Sequence, residues 1–83
     1  MRATAFSFNA LLSAWRRAGG RCQCTRLTHT HVGPCGAPLM WAGRGREGTG
    51  AWEPVQRTRL ESGGSDAPSN CEILCWECYR LTF

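Results

Sequence analysis

Eighty-three residues with a formal charge of +4 amount to one domain. A chain this short buries only a modest core and is expected to need a metal or disulfides to hold long loops. No apolar run reaches membrane-spanning length. The residues after Met1 and Arg2 mix Thr, Ser and Asn with the apolar positions, so they make a poor signal peptide. The chain is therefore expected in the cytoplasm, with no membrane partner. All ten basic residues are arginines, whose planar fork suits phosphate.

In chain order, residues 9–18 read as a helix. Asn9 is placed to cap its first turn, Leu11, Leu12 and Trp15 form an apolar stripe, and Arg16 and Arg17 close the last turn ahead of Gly19 and Gly20. Leu12 and Trp15 are assigned to the core, and Arg16 and Arg17 are open to phosphate contact. Residues 21–36 contain Cys22-Gln23-Cys24, His29-Thr30-His31 and Cys35-Gly36, with Gly33 and Pro34 forcing a turn before Cys35; this is a metal knuckle in outline. Residues 37–42 form a short apolar segment that suits a strand. Residues 43–51 and 61–69 are rich in Gly, Ser or Pro and read as loops. Residues 51–60 are expected to be extended, with Pro54 arguing against a central strand. A helix is expected to begin near Cys75 and run to the C-terminus.

The six cysteines, at 22, 24, 35, 71, 75 and 78, admit disulfides or metal; close spacing in a chain without a secretion signal favours zinc. Cys75-Trp76-Glu77-Cys78 is a C-x-x-C, which lets two thiolates converge on one ion across a turn into a helix, where free N–H groups face the sulfurs. A thioredoxin-like use of C-x-x-C needs a βαβ context that is missing here. Six cysteines and two histidines, His29 and His31, would fill two tetrahedral sites. The expected first site takes Cys75 and Cys78 with two of Cys22, Cys24 and Cys35. The second takes Cys71, a histidine and the remaining cysteine. Against this stand His29 and His31 as plain loop residues and Cys71 as a small buried hydrophobe.

The segments Ala18-Gly19-Gly20-Arg21-Cys22-Gln23-Cys24, Gly50-Ala51-Trp52-Glu53, Ser62-Gly63-Gly64-Ser65-Asp66 and Asn70-Cys71-Glu72-Ile73-Leu74-Cys75-Trp76-Glu77-Cys78 resemble the zinc-binding form of the HNH endonuclease family, over about residues 14–80. The resemblance implies a small α+β, zinc-stabilised domain of ββα-metal, treble-clef-like type: an N-terminal helix at 9–18, a zinc knuckle at 21–36, and a hairpin and helix over 51–83. It also implies a magnesium or other divalent ion between hairpin and helix, a histidine general base, an asparagine that orients it and a second histidine on the ion. Asn70 matches the orienting asparagine. The general-base position is Gln56, its neighbour is Val55, and the metal-binding position after Cys78 is Tyr79. Glutamine does not titrate, valine holds no cation, and a phenol near pKa 10 is a poor ligand for magnesium.

Three functions follow as expectations. The first is a degenerate HNH-like zinc domain that binds DNA without efficient cleavage, through Arg44, Arg46, Arg57 and Arg59. The second is an active divalent-metal endonuclease with unusual ligands. The third is a zinc-stapled protein–protein module, or one that self-associates, using the exposed members of Trp15, Trp41, Trp52 and Trp76.

Overall fold

The computed structural model describes residues 6–25, 31, 33–59 and 62–82. Its first element is helix α1, Phe8–Ala18. Ser7, in an extended conformation, is the cap: its Oγ accepts the Ala10 N–H at 3.1 Å. Asn9, the cap expected from the sequence, lies inside the helix instead. The chain offers two good capping residues two positions apart, and the helix takes the earlier one. The buried stripe is Ala10, Leu11 and Ala14, with Trp15 and Ala18 at its margins; Leu12 is only half-buried. Gly19 ends the helix at φ 65°, and its N–H donates to the Arg16 carbonyl.

Residues 20–24 then run antiparallel to residues 35–39. Leu39 N–H donates to Gly20, Cys22 N–H to Ala37 and Cys35 N–H to Cys24, at 2.8, 2.9 and 2.8 Å. Residues 37–42 contribute a single bridging residue, Pro38 opposite Arg21, and a short 3₁₀ turn at Trp41–Gly43, rather than the strand expected there.

Two strands make the sheet. Strand β1, Trp52–Gln56, pairs antiparallel with β2, Cys71–Cys75, placing Trp52 opposite Cys75 and Gln56 opposite Cys71. The strand expected over 51–60 is thus shorter. Pro54 is tolerated because a two-stranded sheet has no central strand. The outer edge of β1 meets the chain at Arg44, which bridges to Trp52, and at Gly45, whose N–H reaches the Trp52 carbonyl at 3.1 Å. The outer edge of β2 is taken by Gln23: its N–H donates to the Ile73 carbonyl at 2.8 Å, and its side-chain oxygen accepts the Ile73 N–H at 2.9 Å. Helix α2, Trp76–Thr82, follows β2 without a linker.

The sheet separates two cores. On one side Phe6, Ala10, Leu11, Ala14, Trp52, Cys71 and Ile73 cluster under α1. Trp52 is fully buried, and its indole N–H donates to the Met40 carbonyl at 2.9 Å. Its ring lies 4.8 Å from Trp15 and 5.6 Å from Trp41. The other side gathers Cys22, Cys24, Val55, Leu74, Cys75 and Cys78, with Tyr79 against them. Among the described residues no helix is long and apolar enough to cross a membrane.

Candidate metal centre

The C-x-x-C works because it spans the junction of strand and helix. Cys75 ends β2, and Cys78 sits in the first turn of α2. Three residues on along a helix return to the same side, so both sulfurs face the 22–24 and 35–37 ladder. The sulfurs of Cys22, Cys35, Cys75 and Cys78 all lie within 4.8 Å of one another. Cys35 Sγ and Cys75 Sγ are 4.0 Å apart. Four sulfurs around a tetrahedral zinc, each at about 2.3 Å, stand about 3.8 Å apart along an edge. The separation therefore fits an ion and is about twice a disulfide bond length. None of the six cysteines is in a disulfide.

Backbone N–H groups face the sulfurs. Cys75 N–H donates to Cys22 Sγ at 3.2 Å, and Cys78 N–H donates to Cys75 Sγ at 3.4 Å. Such donors favour thiolate character. Burial opposes it. Burial, first of all, pushes the Cys22 thiol up to about 12. It also drives the Cys78 thiol far upward, reinforced by the sulfurs of Cys75, Cys22 and Cys24. Burial acts the same way on Cys35, but the Ala37 N–H and the sulfurs of Cys22, Cys78 and Cys75 outweigh it and hold that thiol below its ordinary value. Of these thiols, Cys35 is thus the one whose surroundings favour the thiolate. A divalent cation takes the place of the remaining protons, as zinc does at thiolate sites. The four side chains fit structural zinc in number, spacing and chemistry.

A second, smaller group consists of Cys24, His31 and Cys78, whose ligand atoms also lie within 4.8 Å of one another. His29 lies outside the described residues. Cys71, expected in the second site, is not with either group. Four residues of extended strand separate Cys71 from Cys75 by about 13 Å, and its side chain is buried beneath α1. The reading of Cys71 as a small buried hydrophobe is the one the structure carries. Gln23 and Arg17 are the residues that spacing alone misses. Gln23 fastens the Cys22–Cys24 segment to β2. Arg17 donates to the carbonyls of Pro68 and Cys71, fastening α1 to the start of β2.

The remaining signature positions fall on β1, on the turn before β2 and on α2. Val55 is buried against the cysteine core. Gln56 closes β1, half-buried, opposite Cys71. Tyr79 stacks on Trp76, with ring centroids 6.1 Å apart. Asn70 is engaged with the connection between the strands: its side-chain oxygen accepts the Thr58 N–H at 2.8 Å, and its amide donates to the carbonyls of Thr58 and Ser65 at 2.9 and 2.6 Å. It clamps the connection between the strands. Gly64 belongs to the same clamp, since a Cβ there would stand 1.9 Å from the Thr58 carbonyl oxygen. The clamp bounds an open cleft of about 290 Å³ lined by Arg57, Thr58, Gly64, Ser65, Ser69 and Asn70, among others. Arg57 and Arg59 are exposed on this connection, and Arg44 and Arg46 are exposed on the loop beside β1. Two carboxylates, Glu53 and Glu72, are buried on the strands; no spacing rule in the sequence marks them.

Comparison of the chain with protein-family models, with curated proteins and with solved structures gives no match.

Proposed function

We propose that the chain is a zinc-stapled ββα domain, HNH-like in plan, that binds duplex DNA through its phosphates and does not cut it. The observation that carries this reading is the two-strand-and-helix unit closed at its base by Cys22, Cys35, Cys75 and Cys78, with exposed Arg57 and Arg59 on the connection beyond β1. Structural zinc suits an all-thiolate set with no open position. The absence of cleavage rests on side-chain chemistry. Buried Val55, the amide of Gln56 and a Tyr79 stacked on Trp76 supply neither a general base near neutral pH nor a carboxylate or imidazole for magnesium. Asn70 is engaged with Thr58 and Ser65.

Arginine contacts to phosphate release counterions, so the affinity falls with salt whatever the sequence. If Arg44, Arg46, Arg57 and Arg59 each neutralise one phosphate, the logarithm of the association constant falls with a slope of about −3.6 against the logarithm of salt. Replacing Arg57 and Arg59 by alanine reduces the steepness by about 2. Fluorescence anisotropy with labelled duplex at rising salt measures both, and an affinity indifferent to salt overturns the reading. Supercoiled plasmid incubated with magnesium, manganese or nickel stays intact; metal-dependent nicking establishes an endonuclease instead.

A second reading, self-association, is favoured by one surface. Phe8, Met40 and Trp41 are 64%, 65% and 40% exposed, and the rings of Phe8 and Trp41 meet edge to face at 6.0 Å. Light scattering across a range of protein concentrations tests it: a constant monomer mass excludes it.

A further inference from the structure

We propose that Cys24, His31 and Cys78 hold a second divalent ion, with the Cys78 sulfur bridging it to the ion of the four-cysteine site. The proposal rests on that first site, to which it adds a two-ion cluster built from five thiolates and one imidazole. Cys78 is the only residue common to the two groups, and a thiolate sulfur has lone pairs enough to serve two cations.

Three observations support it. The first is spacing. His31 Nε2 lies 3.5 Å from Cys78 Sγ. A nitrogen at about 2.05 Å and a sulfur at about 2.3 Å on one tetrahedral zinc stand about 3.6 Å apart. The second is the imidazole's other nitrogen. His31 Nδ1 lies 2.8 Å from the Gly33 carbonyl. A carbonyl only accepts, so Nδ1 carries the proton and the Nε2 lone pair faces the sulfur. A ligating histidine is held this way, its second nitrogen donating to a backbone carbonyl, which fixes both tautomer and ring direction. The third is charge. Four thiolates around one divalent ion leave two excess negative charges in a buried cluster. Ionising Cys24, which is fully buried, and adding a second divalent ion reduces that excess to one. Uncompensated buried charge is costly, so the second ion suits the interior better than the first ion alone.

Local structure explains where Cys24 is placed. Gln23 is bonded to Ile73 through both backbone and side chain, which sets Cys22 and Cys24 on either side of a fixed point beside β2. Cys22 joins the four-sulfur group and Cys24 the smaller one. Among the described residues the second ion would have three protein donors, so its fourth tetrahedral position falls to a ligand outside that set, such as water.

The test is cadmium NMR together with native mass spectrometry on the full chain reconstituted with cadmium and with zinc. Two ions per chain are expected, with two cadmium resonances of equal intensity: one in the all-sulfur range, the other shifted by nitrogen ligation. A scalar coupling between the two cadmium nuclei is expected through the Cys78 sulfur. Cys24→Ser and, separately, His31→Ala each leave one ion and the all-sulfur resonance. A single ion in the unaltered chain, bound at the four-sulfur site, overturns the second site and leaves the first. Two resonances without mutual coupling overturn the shared sulfur. No bound ion at all overturns the four-cysteine site and the second with it.

Discussion

The two faces of the sheet are closed by different physics. Beneath α1, apolar side chains meet: Trp52, Ile73, Leu11 and two alanines of the helix fill the space, with Trp15 and Trp41 ranged against Trp52. Beyond the other face, the filling is mostly sulfur, with Val55 and Leu74 as the main hydrocarbon. The first face is stable by burial, which needs no ligand. The second gathers thiols whose ionisation burial opposes, in an arrangement that fits a cation in place of their protons. A short chain can in this way divide the work, burying hydrocarbon where helix and sheet meet broadly and gathering metal-ligating side chains where a strand end, a helix turn and loop segments converge.

Removing the ion tests this contrast most severely. Structural zinc in small domains contributes an apparent ~10–16 kcal/mol at neutral pH, against a total stability for a chain of this length of roughly 4–12 kcal/mol. Excess chelator is therefore expected to unfold the protein cooperatively, and Cys75→Ser is expected to do the same at ordinary zinc concentrations. Circular dichroism and tryptophan fluorescence follow the transition. If the protein keeps its full thermal transition in chelator, the α1 face suffices and the contrast fails.

Trp52→Ala comes next. Truncating a buried tryptophan costs about 3–5 kcal/mol, and here it also leaves the Met40 carbonyl without the indole N–H. Urea denaturation of the zinc-loaded variant is expected to show the loss, while the bound-ion count stays that of the unaltered chain, because the Trp52 side chain packs in the α1 core and only its backbone pairs with Cys75. Loss of metal together with stability would show that the two faces are one cooperative unit at the site itself.

What the sequence discloses divides along the same line. The pairing of Cys75 with Cys78 is legible because the interval fits a turn into a helix, and the need for two more thiols from Cys22, Cys24 and Cys35 follows from the number a tetrahedral ion takes; that Cys22 and Cys35 are the two is decided by the fold, which sends Cys24 to the other group. Cys71 is misleading because Cys71 to Cys75 looks as close in sequence as Cys75 to Cys78. The backbone between the first pair is extended, at about 3.3 Å per residue, and between the second it is helical, at about 1.5 Å. Conformation rather than interval decides which cysteines meet. The start of α1 is illegible for a different reason: Ser7 and Asn9 cap almost equally well, and only burial of Phe6 and Ala10 chooses between them. The roles of Gln23, Arg17 and Asn70 depend on partners 50, 51 and 12 residues away, beyond any local pattern.

Cys71 offers the mildest test and the sharpest control. Cys71→Ala removes one buried sulfur and is expected to cost about 1 kcal/mol at pH 7, with no change in bound metal. Burial holds the Cys71 thiol up at about 11 from its ordinary 9.0, against the pull of Arg17, Arg44 and Arg57. Between those two values the unfolded chain has released the proton and the folded chain has kept it. Stability from this residue is therefore complete below pH 9 and is lost as pH rises through 11. The metal-site thiols are common to both proteins, so the difference in stability between the unaltered chain and Cys71→Ala isolates Cys71. That difference is expected to hold steady from pH 6 to 8 and to shrink above pH 9. A Cys71→Ala protein that binds one ion fewer would return this residue to the metal centre and dissolve the distinction between the faces.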